Sequence, residues 1–496
     1  MGFPAPVSRL LARSMLALLV LAALPKIVLA ERWQLTPSLS LSETWTDNLE
    51  LAPDSREESA FVTTVAPGVS LSGGGARLQG DLAYGLSAVF EHTDEGSDEL
   101  FHNLNGRADA ELVQDHLFVD VSATASQNIS DLRDAAGVGV TSGNDNLTQN
   151  YGVTAAPRLT HRLGRVARAT WIYEHERVWF EDEQSDQRVH RAQARIESGS
   201  LFQRLRWALN GSYEDVAELD GSAGSDGGAD GTLSSGSLTL GYALTPRFEI
   251  NATGGYEDND IGEVDPQSEL AEDREGSFWD VGIRWRPNRR LNLELGGGER
   301  FFGRSLRAAL SYQRRVVSLQ AEFSESLQNN TSVVFLPEGS VPVFAPDCPA
   351  GVEGCTPAGE VQLFRQDTVD GFFVARRLSS SVSFNFRRHS LVLTGFRLVR
   401  EAQRIGDDER QVGGSLNWRW ALGSRTSFGL GGRYSREQFE VDERQDDFWF
   451  AEATLSRQLG RSLAVEGSYR HQRQESDDAG AEFTENAVVL SASFRY

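Results

Sequence analysis

The segment WQLTPSLSLSETW, residues 33–45, alternates apolar and polar side chains at every second position. Trp33 and Trp45 lie on the apolar face of an extended chain, together with three leucines between them. A strand with one apolar and one polar face suits a barrel wall that separates lipid from water. A strand of this length, tilted by about 45°, rises roughly 28 Å along the membrane normal between the two tryptophans. The spacing therefore places one tryptophan at each lipid–water interface.

The same period of two recurs along the whole chain, and no segment of comparable length shows helical spacing. The last such stretch runs from Asn486 to the aromatic Tyr496, and a terminal aromatic is typical of the closing strand of an outer-membrane barrel. A secreted β-solenoid or a multi-domain sandwich is the alternative, and it should show fixed-length repeats or linkers, which are absent here. The clearest further examples are residues 78–90, 117–123, 151–159, 205–213, 248–256, 279–285 and 428–434.

The connections between these segments alternate between tight turns and long, acidic stretches. Tight turns are predicted at residues 73–75, 113–116, 162–164, 288–290, 423–424 and 460–461. Longer loops are predicted at residues 47–59, 128–150, 214–231, 257–276, 326–370 and 472–482. This layout indicates an all-β fold, a transmembrane antiparallel β-barrel of the bacterial outer membrane with about 22 strands (a range of roughly 18–24) and with its long loops extracellular.

Residues 1–30 have the pattern of a signal peptide, with Arg9 and Arg13 before a short apolar run and a small residue, Ala30, at the cleavage site. An uncleaved anchor is the alternative, but the run is shorter than the ~20 apolar residues of a helical span. Residues 31–496 then form a single barrel domain. Only Glu31 and Arg32 precede the first strand, so no N-terminal plug domain is expected.

The composition argues against one class of partner. The chain carries 71 acidic and 48 basic residues, a net charge of -23, whereas nucleic-acid binding needs a basic face. Cys348 and Cys355 are the two cysteines, and in an exported protein they are predicted to form a disulfide within a long loop, residues 327–370. No metal site and no cofactor are predicted, and the acidic stretch 257–265 is interpreted as a solvated surface.

The polar face of the predicted wall carries arginines mixed with acids such as Asp109, Asp120, Asp280 and Glu294. Such a lumen is hydrated and suits a polar solute, although the charges could equally pair across strands and brace the wall. The candidate lumen-lining arginines are Arg77, Arg107, Arg158, Arg168, Arg204, Arg206, Arg284, Arg286, Arg307, Arg419 and Arg470.

A barrel of about 22 strands has a lumen that usually needs a plug. Without a plug domain, either the pore is wide or a loop folds inward, and the loop at residues 327–370 is the best candidate constriction; an ordinary outward loop is the alternative. Catalysis is not predicted, because no histidine lies in a nucleophile motif. His175 and His190 could approach each other across a hairpin beside Glu174 and Glu176, which is the only hint of an enzyme.

Five segments resemble the exosortase/PEP-CTERM-associated outer-membrane β-barrel family, a group of porin-like proteins tied to exopolysaccharide loci. Residues 46–48 (TDN) and residues 300–303 (RFFG) are its most distinctive matches. The matching segments are LTPSLSLSETWTDNLELAP (35–53), GGGARLQGDLAYGL (73–86), AELVQDHLFVDVSATASQNIS (110–130), ERFFGRSLRAALSYQRRVVSLQAEFSES (299–326) and FFVARRLSSSVSF (372–384). The resemblance implies a role in polysaccharide export or in the sorting of PEP-CTERM proteins, and it supplies no catalytic residue.

We therefore expect a passive porin-like channel of a Gram-negative outer membrane, used for exopolysaccharide export. The expected partners are outer-membrane lipid and, for the export role, polysaccharide and periplasmic export components. The alternative is a structural or docking barrel that binds a surface polymer or sorted proteins without an open pore.

Overall fold

The computed structural model describes most of residues 33–495. The predicted signal peptide and both cysteines lie outside the described residues, so the signal peptide and the disulfide stay predictions. The described residues are 33–93, 98–129, 135, 137–143, 146–181, 186–219, 230–261, 274–329, 340–343, 359–362, 372–402, 408–440 and 443–495.

Strands make up almost all of this part of the chain, and no helix within it is long and apolar enough to cross a membrane. In chain order the strands are β1 Trp33–Thr46, β2 Ala60–Gly74, β3 Leu78–Glu91, β4 Asp98–Val113, β5 Leu117–Ile129, β6 Leu147–Leu163, β7 Ala167–Phe180, β8 Gln187–Ser198, β9 Leu205–Glu218, β10 Gly231–Thr245, β11 Phe248–Asp260, β12 Glu275–Asn288, β13 Leu291–Arg300, β14 Gly303–Gln313, β15 Val317–Asn329, β16 Ser340–Val343, β17 Gly359–Gln362, β18 Phe372–Asn385, β19 His389–Ala402, β20 Glu409–Ala421, β21 Thr426–Phe439, β22 Gln445–Gln458, β23 Leu463–Ser476 and β24 Phe483–Arg495.

Twenty-two of these strands form one sheet that closes on itself. Each strand pairs antiparallel with the next, β15 pairs with β18, and β24 pairs with β1 from Ser38↔Arg495 to Thr46↔Ala487. The short strands β16 and β17 form a separate pair. The prediction of a closed antiparallel barrel of about 22 strands is therefore confirmed. The segments quoted above for their period of two lie within strands, the last of them as far as Arg495.

The two ends of the barrel differ in their connections. At one end, the short-turn end, successive strands are joined by turns of two to six residues, such as 114–116 and 289–290. The first strand begins at this end and the last strand finishes there. At the other, the long-connection end, the connections include residues 47–59, 130–146 and 330–371. One connection at this end is nevertheless a two-residue turn, Phe301 and Phe302 between β13 and β14.

Strand register assigns every side chain to one of two faces. The apolar face is highly exposed, for example 50 % at Leu41, 52 % at Trp279 and 64 % at Leu490. The polar face of β23 contacts a segment that follows β5, on another part of the circumference, through a hydrogen bond from Arg470 to the Val138 carbonyl. The polar face is therefore the inner face, and the apolar face is the outer face that lipid covers.

Aromatic side chains gather on the outer face towards both ends of the strands. Trp33 and Trp45 flank the apolar stretch of β1, as predicted. Towards the long-connection end, the rings of Tyr434 and Trp449 pack with their centroids 4.2 Å apart. Towards the short-turn end, Trp418 and Trp420 stack with their centroids 6.0 Å apart. Such aromatic girdles are typical of the two interfaces of a membrane barrel.

Candidate functional site

The predicted lumen arginines can now be placed on the wall. Nine of them lie on the inner face of strands, and Arg77 and Arg204 lie in turns at the short-turn end. A role in transport stays a prediction for all of them. The nine in strands are Arg107, Arg158, Arg168, Arg206, Arg284, Arg286, Arg307, Arg419 and Arg470.

Carboxylates neutralise several of these arginines. Arg284 pairs with Glu294 at 2.8 Å on the neighbouring strand, and Arg307 reaches across β13 to Asp280 at 2.5 Å. Arg206 pairs with Glu249 at 3.0 Å. The wall thus carries mixed, paired charges rather than a positive ring. Because most of these side chains are partly hydrated, each pair stabilises the barrel by only about 0–1 kcal/mol.

A charge cluster that sequence reasoning did not single out lies on the inner face of β7–β9. Arg191 contacts Glu174 and Glu176 at 2.6 Å each, and Glu214 at 3.1 Å. The side chain of Arg191 keeps 20 % of its surface exposed. Three carboxylates around one guanidinium leave a local excess of negative charge, which holds the three strands together and also faces the lumen.

The two histidines lie together as predicted, but the two glutamates beside them in the sequence face the other side of the wall. His175 and His190 are directly opposite each other on β7 and β8, with their Nδ1 atoms 3.3 Å apart. Both rings lie on the outer face, and Tyr173 contacts His190 there at 2.7 Å. Glu174 and Glu176 point to the inner face, since neighbouring residues of a strand alternate. The wall therefore separates the histidines from Glu174 and Glu176, whereas Asp215 lies opposite His190 on the outer face.

At the long-connection end, part of the connection between β5 and β6 folds into the barrel. Residues 137–143, here called the inner segment, contact the inner face of β23, which is separated from β5 by β24 and β1–β4. Val138 receives a 2.8 Å hydrogen bond from Arg470 and donates one of 3.0 Å to Gln472. Gly143 donates a 2.9 Å hydrogen bond to the carbonyl of Leu49.

Leu51 anchors the inner segment with an apolar contact. Its side chain is 1 % exposed and packs with Phe448, Phe450 and Phe483, while Ala135 and Val138 cover the cluster. The backbone of Leu51 has a φ of 53°, a left-handed conformation that costs a branched residue of order 1–3 kcal/mol. The packing around Leu51 offsets that cost, so the apolar cluster holds this part of the chain in place.

Glu485 lies at the centre of the polar contacts beside the inner segment and is fully buried. Its carboxylate accepts hydrogen bonds from Thr46 at 2.7 Å, from Ser142 and from Gln472, and it pairs with Arg470 at 3.3 Å. A buried carboxylate with this many donors is satisfied and rigid. It ties the inner segment to β1, β23 and β24 at once.

The β5–β6 hairpin enters the barrel because β5 leaves β4. Pairing between these strands ends at Leu104↔Ala125, although β4 continues to pair with β3 and β5 with β6. Gln149 bridges the gap, donating to the carbonyls of His102 at 3.0 Å and Ser126 at 2.9 Å. Leu147 packs against a cluster of inner-face residues of β2–β4. The part of the hairpin nearest the long-connection end therefore lies on the lumen side of the wall.

The β15–β18 hairpin repeats this arrangement. Its β15 strand pairs with β14 only between Ala308↔Phe323 and Gln313↔Ser318, and beyond that point Glu325 accepts a 2.6 Å hydrogen bond from the Leu306 amide. Phe372 and Leu327, at the top of the hairpin, pack with Val189 and Val216 of β8 and β9. Five to seven strands of wall separate these partners, so this hairpin also crosses part of the interior.

The predicted constriction, residues 327–370, stays a prediction, because most of that loop lies outside the described residues. The structure shows only that Leu327 and Phe372, at its two ends, pack on Val189 and Val216. The inner segment was missed, because residues 128–150 look like an ordinary long loop. A signal was nevertheless present in the strands. Apolar residues such as Phe448 and Phe450 occupy the polar face near the long-connection end, which indicates that something packs on them.

Comparison with known proteins supports a porin-like barrel. Residues 379–496, from β18 to the end of the chain, match the family described as "Putative beta-barrel porin 2". No curated protein matches the chain.

Solved structures of similar fold include a ferric enterobactin receptor mutant from Pseudomonas aeruginosa in complex with enterobactin, with a TM-score of 0.52, 10% identity and coverage of 93% of this chain and 81% of that chain. The FrpB iron transporter from Neisseria meningitidis (F5-1 variant) gives a TM-score of 0.50 at 10% identity, covering 94% of this chain and 83% of that chain. At such low identity this likeness shows the fold alone. Fold and family match together indicate a porin-like barrel of an outer membrane.

Proposed function

We propose that this protein is a passive outer-membrane channel for exopolysaccharide leaving the cell, with its long connections outside the cell and its short turns in the periplasm. The observation that carries the proposal is the inner wall of paired charges, which leads from the short-turn end to a constriction made by two inward hairpins. The polymer moves by diffusion or threading, and no covalent chemistry is involved.

The distribution of the tryptophans favours diffusion over tight binding. All ten tryptophans lie on the outer face by register, so none offers a stacking platform to a sugar ring inside the barrel. The inner wall instead presents guanidinium and carboxylate groups, such as Arg206 with Glu249, to sugar hydroxyls. Exopolysaccharide as the cargo rests on the family resemblance of residues 299–326 and 372–384. The export role also calls for polysaccharide and periplasmic export components as partners.

Single-channel conductance in a planar bilayer tests the proposal. The refolded protein is compared with a variant whose residues 137–143 are replaced by a shorter Gly-Ser linker, and with a variant shortened within residues 332–370. We expect steady steps from the native chain and larger steps from each variant, because both changes remove material from the constriction. Neutral dextrans of increasing size, added to either side, then report the width of the pore.

The same experiment has a result that would overturn the channel. If the native chain and both variants insert as folded barrels but carry no current, the lumen is closed by something other than these two segments. Circular dichroism and resistance to unfolding in detergent establish that each variant is folded before its current is measured.

The second proposal is a docking barrel without an open pore, and one observation favours it. The inner side chains at the long-connection end, among them Phe448 and Glu485, are buried as in a solid core. In that case the connections at this end hold a surface polymer or a sorted protein. Binding of labelled polysaccharide by vesicles that carry the protein but show no conductance would distinguish this role from the channel.

A further inference from the structure

Four neighbouring strands carry a row of arginines on their outer face near the long-connection end. These are Arg376 on β18, Arg397 on β19, Arg410 on β20 and Arg436 on β21. Outward arginines on four successive strands stand out in a chain of net charge -23. The row lies on the membrane side of the wall, so it does not belong to the lumen described above.

Carboxylates cover the two ends of this row. Arg436 forms a two-pronged pair with Asp447, with distances of 2.8 and 3.0 Å. Arg376 contacts Glu325 at 3.5 Å and Glu401 as well. Each of these arginines is therefore already neutralised by a protein partner.

The two central arginines have no such partner. Among the described residues, no carboxylate forms an ion pair with Arg397 or Arg410, and both side chains are exposed. Register places Arg397 opposite Val412 and Arg410 opposite Val399, so the two are diagonal neighbours on adjacent strands. Diagonal neighbours lie about 7–8 Å apart at their base, which lets two long guanidinium side chains reach the same phosphate group.

The outer-face residues beside Arg397 and Arg410 indicate how deep in the membrane these two arginines lie. One residue pair closer to the short-turn end, Gly395 lies opposite Gly414. Tyr434 and Trp449, whose rings contact each other at a tilt of 38°, continue that row on the next two strands. The next row towards the short-turn end contains exposed leucines such as Leu416. Since aromatic residues mark the interface of a membrane barrel, Arg397 and Arg410 lie at the level of the lipid headgroups.

Another part of the outer face, also near the long-connection end, has the opposite charge. On β11–β13 the outward residues near the long-connection end are acidic: Asp258, Asp260, Glu275 and Glu299. An anionic lipid is repelled by that sector and attracted by the arginine row. The bare backbone at Gly395 and Gly414 leaves room below the two arginines for an acyl chain, with Leu416 beneath it.

We propose that Arg397 and Arg410 bind the phosphate groups of lipid A, the anionic lipid of the outer leaflet, with one acyl chain lying over Gly395 and Gly414. The proposal rests on the orientation proposed above, in which the long connections face outward. An arginine at headgroup depth gains a charge-assisted, two-pronged contact with phosphate. Without such an anion the two guanidinium groups would repel each other beside lipid.

Binding of purified lipid A to the full chain in detergent, followed by its thermal unfolding temperature, tests the site. The key variant combines Arg397→Gln with Arg410→Gln. The matched control is Arg473→Gln, since Arg473 is an exposed arginine of the same face and end that pairs with Glu475 at 2.7 Å. We expect the apparent affinity for bisphosphorylated lipid A to fall by about tenfold or more in the double variant and to stay unchanged in the control.

Three further probes separate the sources of phosphate. Dephosphorylated lipid A should bind the native chain and the double variant equally weakly. Equal binding of phosphatidylglycerol and lipid A by the native chain would overturn the assignment to lipid A, and protection by inorganic phosphate alone would point to a free anion instead. An unchanged affinity for lipid A in the double variant would overturn the site itself.

The test of the lipid A site does not depend on whether the barrel conducts ions. Arg397→Lys with Arg410→Lys keeps both charges, so partial recovery of binding shows that the loss in the glutamine variant is not simply misfolding. Conductance measured on the same proteins distinguishes the two proposals. A barrel that binds lipid A but carries no current would end the channel proposal and leave this site in place.

Discussion

The two ends of the inner wall use the same chemistry for different purposes. Near the long-connection end, the side chains of Arg470 and Glu485 are 10 % and 0 % exposed. Nearer the short-turn end, the side chains of Arg195 and Glu197 form a similar pair at 3.2 Å but are 54 % and 38 % exposed. One pair belongs to a packed core, and the other belongs to a hydrated surface.

The difference shows that a barrel lumen need not be uniform along its axis. At the short-turn end, the two strands of each hairpin pair down to the turn or close to it, and inner side chains such as Arg195 are exposed. At the long-connection end, β5 and β15 leave the preceding strand, and apolar residues such as Phe448 and Val216 replace polar ones on the inner face. The inward packing at this end and the loss of regular pairing therefore occur at the same level of the barrel.

The largest expected effect comes from removing the buried carboxylate. Glu485→Ala leaves Arg470 buried without its carboxylate, which costs about 3–5 kcal/mol in the free energy of unfolding. Glu197→Ala, at the hydrated end, should cost only about 0–1 kcal/mol. Urea unfolding followed by tryptophan fluorescence measures both, and equal costs would show that the two ends are not differently hydrated.

A glycine substitution tests the inner segment next. Gly143 has a φ of 62°, and a Cβ at this position would lie 2.5 Å from Cδ1 of Leu51. Gly143→Ala should therefore destabilise the segment by about 1–3 kcal/mol and raise the conductance. Gly460→Ala, in a turn at the short-turn end with no heavy atom within 4 Å, should change neither quantity.

The gap between β4 and β5 offers a smaller test. Gln149→Ala removes the donor to the His102 and Ser126 carbonyls, and we expect a cost of about 1 kcal/mol. Amide hydrogen exchange should then accelerate in residues 98–103 and 126–129. Thr239→Ala, which removes a 3.0 Å contact with Thr253 in regularly paired wall, should leave exchange there nearly unchanged. Faster exchange in both places would contradict a special role for the gap.

The smallest effect on stability is expected at the hydrated wall. Arg206→Gln removes one of the two arginine partners of Glu249, and Arg284 at 3.7 Å remains. Stability should therefore change by no more than about 1 kcal/mol. The removed positive charge should shift the reversal potential towards cation selectivity in a salt gradient. A large loss of stability, or no shift in selectivity from a conducting pore, would mean that this wall is not the path of ions.

Much of the architecture was readable from local patterns. The alternation in residues 33–45 predicts both the strand and its two faces, and the turn lengths predict the number of strands. The mixed charges of the wall were also visible, although their partners were not. Arg307 pairs with Asp280 two strands away, and such a pair depends on register between segments that no local pattern links.

By itself, the sequence determined what each strand does alone: its period, its two faces, its turns and the aromatic residues at its ends. These are local properties, because successive side chains of an extended chain must alternate. Only the tertiary structure decided where β5 and β15 leave the wall, how residues 137–143 reach Glu485, and which arginines, such as Arg397 and Arg410, are left without a carboxylate. These features depend on packing and register between distant parts of the chain.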